Sequence, residues 1–364
     1  MKKTILSILI ICLATLAILF LSSRRGTNTN PGQAVNTDGA VTVVAQNLYV
    51  PWSMAFLPTG ELLVTERNGI LRVIGEVSFD INVPGAVEVG EGGLLGLAFH
   101  PNFTANRFIY LYFTARSNGR IINRVVRYVF ENRALAGEKM IIDDIPGGTN
   151  HNGGRIAFGP DKLLYITTGD SGSSALAQDT NSLAGKILRL KDDGSIPPDN
   201  PFGNAVYSYG HRNPQGLAWD DEGNLWETEH GRSGIQAGLD ELNLVEKGAN
   251  YGWPVIQGDE SRGGMKEPVV HSGGTTWAPS GIAFVSGKLY FAGLRGEALY
   301  EVEVMQGKTL GQINSYFEGV YGRLRGVAVG PDGALYLTTS NQDGRGDPRE
   351  GDDKILKVSK NLIQ

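Results

Sequence analysis

The sequence predicts an all-β protein, a six-bladed β-propeller preceded by an N-terminal signal or anchor helix, and three observations lead there. Glycine occurs fifty times without a collagen-like period, which implies many tight turns and few long helices. A short phrase recurs six times after Val41: an apolar strand, a turn built from Pro, Asp, Asn or Gly, and a second strand ending in Thr or an aromatic. Its copies stand roughly 40 to 65 residues apart, the interval of one four-stranded blade, with longer insertions in the third to fifth units.

At the start of the chain, Lys2 and Lys3 precede an apolar run from Ile5 to Leu21, roughly long enough to cross ~30 Å of hydrocarbon as a helix. That pattern is an export signal and implies a periplasmic or extracellular protein. Ser22-Ser23 offers small residues for cleavage, whereas Leu21 and Arg24-Arg25 depart from the usual site, so a cleaved signal peptide and a retained membrane anchor both stay open. The only cysteine, Cys12, lies inside this run, so the rest of the chain has no disulfide, thiolate nucleophile or Cys-ligated zinc. The expected organisation is a signal or anchor over 1–25, a flexible tether over 26–40 rich in Asn, Thr and Gly, and a propeller catalytic domain over 41–364.

The six phrases begin Met54-Ala-Phe-Leu-Pro-Thr-Gly, Gly96-Leu-Ala-Phe-His-Pro-Asn, Ile156-Ala-Phe-Gly-Pro-Asp, Gly216-Leu-Ala-Trp-Asp-Asp, Gly281-Ile-Ala-Phe-Val-Ser and Gly326-Val-Ala-Val-Gly-Pro-Asp-Gly. Each is a β-hairpin, because Pro fixes φ and Gly or Asp takes the left-handed position at the waist. A sandwich of repeated hairpins is the alternative, but it gives no reason for six similar phrases at blade-like intervals. Radial closure also removes exposed sheet edges, and short loops from different blades converge on a central channel.

Three segments carry candidate chemistry. Asn150-His151-Asn-Gly-Gly-Arg155 precedes the third hairpin and Thr168-Gly-Asp170-Ser-Gly172 follows it, so the hairpin brings the two loops together. His151 then serves as a general base oriented by Asp170, unless Asp170 merely caps a turn and His151 satisfies backbone groups. In Gly210-His-Arg212-Asn213-Pro-Gln-Gly216 a glycine bend throws Arg212 and Asn213 off a strand end. With Arg295, Arg323 and Arg325 also at loop or strand-end positions of an acidic chain, the pattern suggests a small polyanionic ligand. Glu229-His-Gly231-Arg232 and Asp240-Glu241, followed by Asn250-Tyr251-Gly-Trp-Pro254, combine carboxylates with exposed carbonyls, the hard oxygen set that calcium prefers; a solvated acidic surface is the plainer reading. Formal net charge is −5 and no basic stretch interleaves with aromatics, which excludes nucleic acid as a partner. The remaining histidines have no metal-ligand spacing that would support a zinc site.

Taken in order, Gly-Gly-Leu-Leu-Gly-Leu-Ala-Phe-His-Pro-Asn-Phe, His-Asn-Gly-Gly-Arg with its trailing Gly-Asp, Gly-His-Arg-Asn-Pro-Gln-Gly, Asp-Glu-Leu-Asn-Leu with Asn-Tyr-Gly-Trp-Pro, and Ala-Pro-Ser-Gly resemble the soluble glucose/aldose sugar dehydrogenases that use pyrroloquinoline quinone (PQQ). The match runs from about Val41 to Val358. The resemblance implies an enzyme that oxidises aldoses at C1 to lactones, with PQQ as hydride acceptor and Ca2+ as Lewis acid. It implies His151 as base, Asp170 as its support, and Arg212 and Asn213 at the reactive carbonyls of the quinone. Arg323 and Arg325 would face its carboxylates, Thr276 would touch it, and Arg295 stands where relatives carry a lysine. The carbonyls of Gly231 and Arg232 would ligate the cofactor's calcium, Arg232 replacing a proline. Asp240, Glu241 and Tyr251 match a second, structural calcium site. Glu91 stands where a glutamine contacts substrate in glucose enzymes, and Gly274 replaces an aromatic, both weighing against glucose specificity, while the shorter chain resembles the broad-specificity aldose branch. The partners implied are an aldose and an electron acceptor that the sequence does not name; a homodimer stays open. A propeller lactonase would need acids and amides around one axial ion and has no use for several arginines. A binding module that had lost its chemistry would have eroded His151, Asp170 or Arg212.

Overall fold

The computed structural model describes residues 39–362. The apolar run with Cys12 and nearly all of the tether therefore lie outside the described residues. Chain order begins with β1 (Val41–Ala45), which joins the last sheet instead of its sequence neighbours. The first sheet holds β2 (Pro51–Phe56), β3 (Leu62–Glu66), β4 (Ile70–Ile74) and β5 (Phe79–Asn82). The second holds β6 (Leu94–Phe99), β7 (Phe108–Ser117), β8 (Arg120–Glu131) and β9 (Ala134–Pro146), and the third β10 (Ile156–Phe158), β11 (Leu164–Thr168), β12 (Lys186–Leu190) and β13 (Val206–Tyr209). The fourth contains β14 (Pro214–Trp219), β15 (Leu225–Glu229), β16 (Glu241–Val245) and β17 (Val270–His271); the fifth contains β18 (Pro279–Val285), β19 (Lys288–Gly293), β20 (Ala298–Met305) and β21 (Thr309–Tyr316). The sixth comprises β22 (Leu324–Val329), β23 (Leu335–Thr339) and β24 (Ile355–Val358), completed by β1.

Six antiparallel four-stranded sheets in a ring are the propeller that the sequence predicts. Each recurring phrase forms the first two strands of a blade. The second strands β3, β11, β15 and β23 are buried along their whole length, because a neighbouring blade covers each face. That is why they read as nearly continuous apolar runs instead of alternating.

The recurring threonine has a physical reason. The first strands shift register near their start, between Pro51 and Ser53, Pro214 and Gly216, and Leu324 and Val327. Threonine hydroxyls fill the gaps left in the ladder: Thr65 Oγ1 accepts the Ser53 N–H at 3.0 Å, Thr167 Oγ1 accepts that of Arg155 at 2.9 Å, and Thr338 Oγ1 accepts that of Gly326 at 2.8 Å. Thr65 and Thr228 also donate to the next blade, to the carbonyls of Leu95 and Ser280, both at 2.6 Å. Near these starts glycine permits the first strands of neighbouring blades to approach closely. A Cβ on Gly216 would lie 2.5 Å from the Ser280 carbonyl oxygen, and one on Gly96 would lie 2.2 Å from that of Gly154.

β1 closes the ring. Val41 pairs with Val358 and Ala45 with Ile355, so the two ends of the described chain share one sheet and β1 supplies the outer, fourth strand of the sixth blade.

Candidate active site

A cleft of about 510 Å³ opens at one end of the channel. All six blades contribute to it: Trp52 and Arg67 from the first, Glu91 ahead of β6, His151 ahead of β10, Arg212 and Gln215 at β14, Arg295 after β19, and Arg323 and Arg325 at β22.

The third hairpin joins the predicted base His151 to its predicted support Asp170. His151 Nδ1 lies 2.7 Å from Asp170 Oδ1, and the histidine side chain is 13% exposed while the aspartate is buried. Gly169 is required here, since a Cβ would fall 1.9 Å from the His151 carbonyl oxygen. His151 holds a left-handed backbone (φ 52°), and its N–H donates to Glu91 Oε2 at 3.0 Å. Burial pushes the Asp170 carboxyl up, but the hydrogen bond and charge of His151, the Gly172 N–H and the Trp253 indole together hold it below the usual carboxylate range. An ionised Asp170 needs a donor, which places the His151 proton on Nδ1 and leaves Nε2 with a free lone pair.

Seven arginines line the cleft, Arg67, Arg212, Arg232, Arg295, Arg323, Arg325 and Arg345, against four carboxylates, Glu91, Asp240, Glu297 and Asp343. Arg323 and Arg325 share Asp343 Oδ2, at 2.9 and 3.2 Å, so both guanidiniums are fixed at the wall. Burial drives Arg325 down to about 10, with Asp343 opposing and Arg323 and Arg67 adding to the shift. Burial followed by the Arg325 charge drives Arg155 behind the wall down to about 9. Arg212 donates to the His230 carbonyl at 3.2 Å and to Ser233 Oγ at 2.9 Å, and its guanidinium sits 5.3 Å over the Trp253 ring. Burial lowers its pKa, opposed by the charges of Asp170, Glu229 and Asp240. Glu229 in turn accepts the backbone N–H groups of both Arg212 and Asn213. Thr276 lines the cleft, as does the exposed Arg295. Asn213 lies outside the lining, fully buried, with Oδ1 accepting the Gly153 N–H at 3.0 Å.

Four side-chain nitrogens around the cleft are buried without a partner: Arg212 Nε, Asn213 Nδ2, His230 Nε2 and Arg232 Nε. Unpaired buried donors are costly, and their concentration beside an arginine-rich cavity fits an anionic ligand rich in acceptor oxygens. The chemistry of the donor set therefore suits a quinone bearing several carboxylates.

The predicted calcium ligands divide. Gly231 and Arg232 line the cleft, with the Gly231 N–H held by Asp240 Oδ1 at 2.8 Å and the Arg232 carbonyl accepting from Gly238 at 3.3 Å. Asp240 also lines it, but its other oxygen accepts the N–H groups of Trp277 and Ala278 at 2.7 and 2.9 Å, so its side chain braces loops. Burial raises its pKa despite these bonds. The Tyr251 hydroxyl is taken by the Leu244 carbonyl and the Glu246 N–H, while its ring stacks on His211 at 4.7 Å. The side chains of Asp240, Glu241 and Tyr251 are thus not brought together. Glu241 instead lies beside Glu227, with the Asn243 amide between them.

Sequence reasoning missed Arg67, His230, Trp253, Asp343 and Arg345. His230 lines the cleft, and burial, then Arg212 and Arg325, push its imidazole well below the usual range, so it is neutral. Arg345 pairs with Glu91 at 2.6 Å across the opening. A usable signal existed: Arg67, Asp170, His230 and Asp343 all follow within a few residues of the threonine that ends a recurring phrase.

Comparison with known proteins supplies the family. A family model for glucose / sorbosone dehydrogenase matches residues 48–355. An aldose sugar dehydrogenase of Escherichia coli is 33% identical over 88% of this chain and 92% of its own. Quinoprotein glucose dehydrogenase B of Acinetobacter calcoaceticus is 36% identical over 59% of this chain and 52% of its own length. Among solved structures, the PQQ-bound form of aldose sugar dehydrogenase from Streptomyces coelicolor is 44% identical, with a TM-score of 0.81, covering 88% of this chain and 97% of that one. With the fold and the family model agreeing over one continuous span, the chain belongs to the glucose/sorbosone dehydrogenase family and is a sugar-oxidising oxidoreductase.

Proposed function

We propose that the protein oxidises aldoses at the anomeric carbon to the corresponding lactones, with PQQ and Ca2+ as cofactors. The observation that carries this reading is the His151–Asp170 pair, opening with a free Nε2 into a cleft lined by seven arginines. When bound, PQQ supplies a carbonyl carbon that accepts hydride, and calcium sharpens that electrophile.

The chain's own residues do the rest. His151 Nε2 takes the proton from the anomeric hydroxyl as the C1–H pair departs as hydride, and C1 becomes the carbonyl of the lactone. Asp170 keeps the ring in the right tautomer and stabilises the imidazolium that forms. Arg323 and Arg325 would hold carboxylates of the cofactor, while Arg212 would meet its reactive side with Asn213 buried behind it, and Thr276 and Arg295 would be further contacts. The carbonyls of Gly231 and Arg232 would hold the calcium. Glu91, fixed between the His151 N–H and Arg345, sits at the sugar side of the opening. The Lys2-Lys3 start and the apolar run to Leu21 support export to the periplasm or exterior.

The test is reduction of an artificial electron acceptor by purified protein with a panel of aldoses, with and without added PQQ and Ca2+. Turnover that needs both additions supports the reading. Absence of PQQ uptake together with no turnover on any aldose overturns it.

A further inference from the structure

Three consecutive residues meet one buried carboxylate. Glu229, the last residue of β15, is 3% exposed and receives the turn 210–213 that joins β13 to β14. Its Oε2 lies 2.9 Å from His211 Nδ1, and its Oε1 accepts the backbone N–H groups of Arg212 and, at 3.2 Å, of Asn213. The sequence groups Glu229 with oxygens suited to calcium; the structure spends both of its oxygens on N–H donors instead. A ring nitrogen that faces a carboxylate carries the proton, so His211 donates through Nδ1 and its Nε2 accepts from Ser208 Oγ at 2.8 Å.

The chain needs that acceptor. Pro214 stands opposite Glu229 in the β14–β15 ladder and has no N–H, and the turn before it is buried, so the N–H groups of Arg212 and Asn213 must find a side chain. Gly210 admits the bend: it is left-handed (φ 77°), and a Cβ there would lie 2.2 Å from Asn250 Oδ1.

The same turn holds the base pair from behind. The Arg212 carbonyl accepts the Asp170 N–H at 2.8 Å. Asn213 Oδ1 accepts the Gly153 N–H at 3.0 Å, two residues beyond His151. The Asn213 carbonyl accepts the His230 N–H at 3.3 Å, and the Arg212 side chain enters the cleft. Asp170, the His151 loop, His230 and the Arg212 guanidinium thus hang from a turn that a single side chain fixes.

Serine, histidine and carboxylate in hydrogen-bonded sequence also make the triad of acyl transfer. Here Ser208 and His211 are fully buried and neither lines the cleft, so no substrate reaches Ser208 Oγ. The sequence of bonds ends on backbone N–H groups, not on a reacting atom.

We infer that Glu229 is a positioning residue: by holding the Arg212–Asn213 turn it sets the place of the Arg212 cation and of both members of the His151–Asp170 pair. The inference rests on the proposed function for what those groups do, and on the contacts alone for how they are held. The turn requires an acceptor. In Glu229→Gln the amide oxygen can stay on the two backbone N–H groups while the amide nitrogen turns to His211, whose proton moves from Nδ1 to Nε2 and is donated to Ser208 Oγ. Glu229→Leu offers no acceptor at all.

The experiment compares the full chain as wild type, Glu229→Leu, Glu229→Gln and Thr228→Val, the last a neighbour whose side chain points to the opposite face of β15 and bonds Ser280. Two readouts are followed beside Tm: PQQ affinity and, in PQQ-free protein, the downfield Nδ1 proton resonance of the His151–Asp170 hydrogen bond, assigned by its loss in His151→Ala. Glu229→Leu should weaken PQQ binding about 10- to 100-fold, the range for removing the outer partner of a ligand-holding group, and should shift or erase the His151 resonance. Glu229→Gln should restore both, and Thr228→Val should lower Tm with neither moved. The inference is overturned by a folded Glu229→Leu with both readouts as in wild type, by one readout moving without the other, by Glu229→Gln losing as much as Glu229→Leu, or by Thr228→Val moving both. If Glu229→Leu does not fold, Glu229→Asp decides: it withdraws the oxygens by one methylene, and unmoved readouts overturn the role. If wild type takes up no PQQ, the proposed function fails by itself, and the His151 resonance alone tests this inference.

Discussion

The Trp253 indole N–H donates to Asp170 Oδ2 at 2.8 Å, while the Arg212 guanidinium lies 5.3 Å over the same ring. One side chain from the loop after β16 thus touches both Asp170, the proposed support of the base, and Arg212, a cation of the cleft. Trp253→Phe keeps the ring and removes the donor. Loss of the indole hydrogen bond removes one of the groups that hold the Asp170 carboxyl below its usual range, so the Asp170 pKa rises. The expected outcome is an acidic limb of the kcat profile displaced upward and a kcat lower by roughly tenfold, with PQQ affinity little changed. A pH–rate profile and a PQQ titration check it, and a lost PQQ affinity with an unmoved profile would contradict it.

His151→Ala removes the proposed acceptor for the anomeric proton. General-base contributions run to about 10²–10⁴-fold, and kcat should fall within that range while PQQ binding persists. Asp170→Asn should cost nearly as much, because an amide oxygen no longer stabilises the imidazolium. Single-turnover rates with PQQ-loaded protein measure both.

Asp343 is the shared counter-charge of Arg323 and Arg325. Asp343→Asn leaves two buried guanidiniums without their counter-charge and should cost about 3–5 kcal/mol in the PQQ-free protein, less once PQQ is bound. The wild type carries the same linkage in its acid stability. Burial raises the Asp343 pKa, but Arg325 and then Arg323 lower it more, so the folded value lies below the unfolded value of about 3.9. The unfolded chain takes up the proton first, so this contribution is complete above about pH 4 and is lost as pH falls toward the folded pKa. Urea midpoints between pH 3 and 6, compared for wild type and variant, should converge at the acid end.

Thr228→Val conserves volume and removes the hydroxyl that donates to the Ser280 carbonyl of the next blade at 2.6 Å. The expected loss is about 1–2 kcal/mol from a buried carbonyl left without its donor, read by chemical denaturation. An unchanged stability would show that the recurring threonine does no more than fill space.

The repeat was legible because everything that defines it is local: strand, turn and strand lie within about a dozen residues of one another. His151 and Asp170 were legible for the same reason, as they flank a single hairpin. The other cleft residues meet only through the ring. Trp253 reaches Asp170 across 83 positions, and Arg155 reaches Ser53 across 102. Asp240 and Glu241 looked like one acidic pair; adjacent residues at a strand start point to opposite faces, so one braces the cleft and the other enters the blade. The outer strands β8 and β9 carry no trace of the phrase, because their half-exposed faces tolerate mixed sequence.

The pairing of β1 with β24 also has a consequence in time. Ala45 and its partner Ile355 are separated by 355 − 45 = 310 positions. At a synthesis rate of about 5–20 residues per second, β1 waits some 15–60 s for its partner to be made. Until then Val41-Thr-Val-Val-Ala45 has no ladder, and the last blade has no outer strand. Ring closure is therefore a late event on the ribosome's clock, and the cleft, which needs loops from all six blades, comes into being only when the chain's two ends find each other.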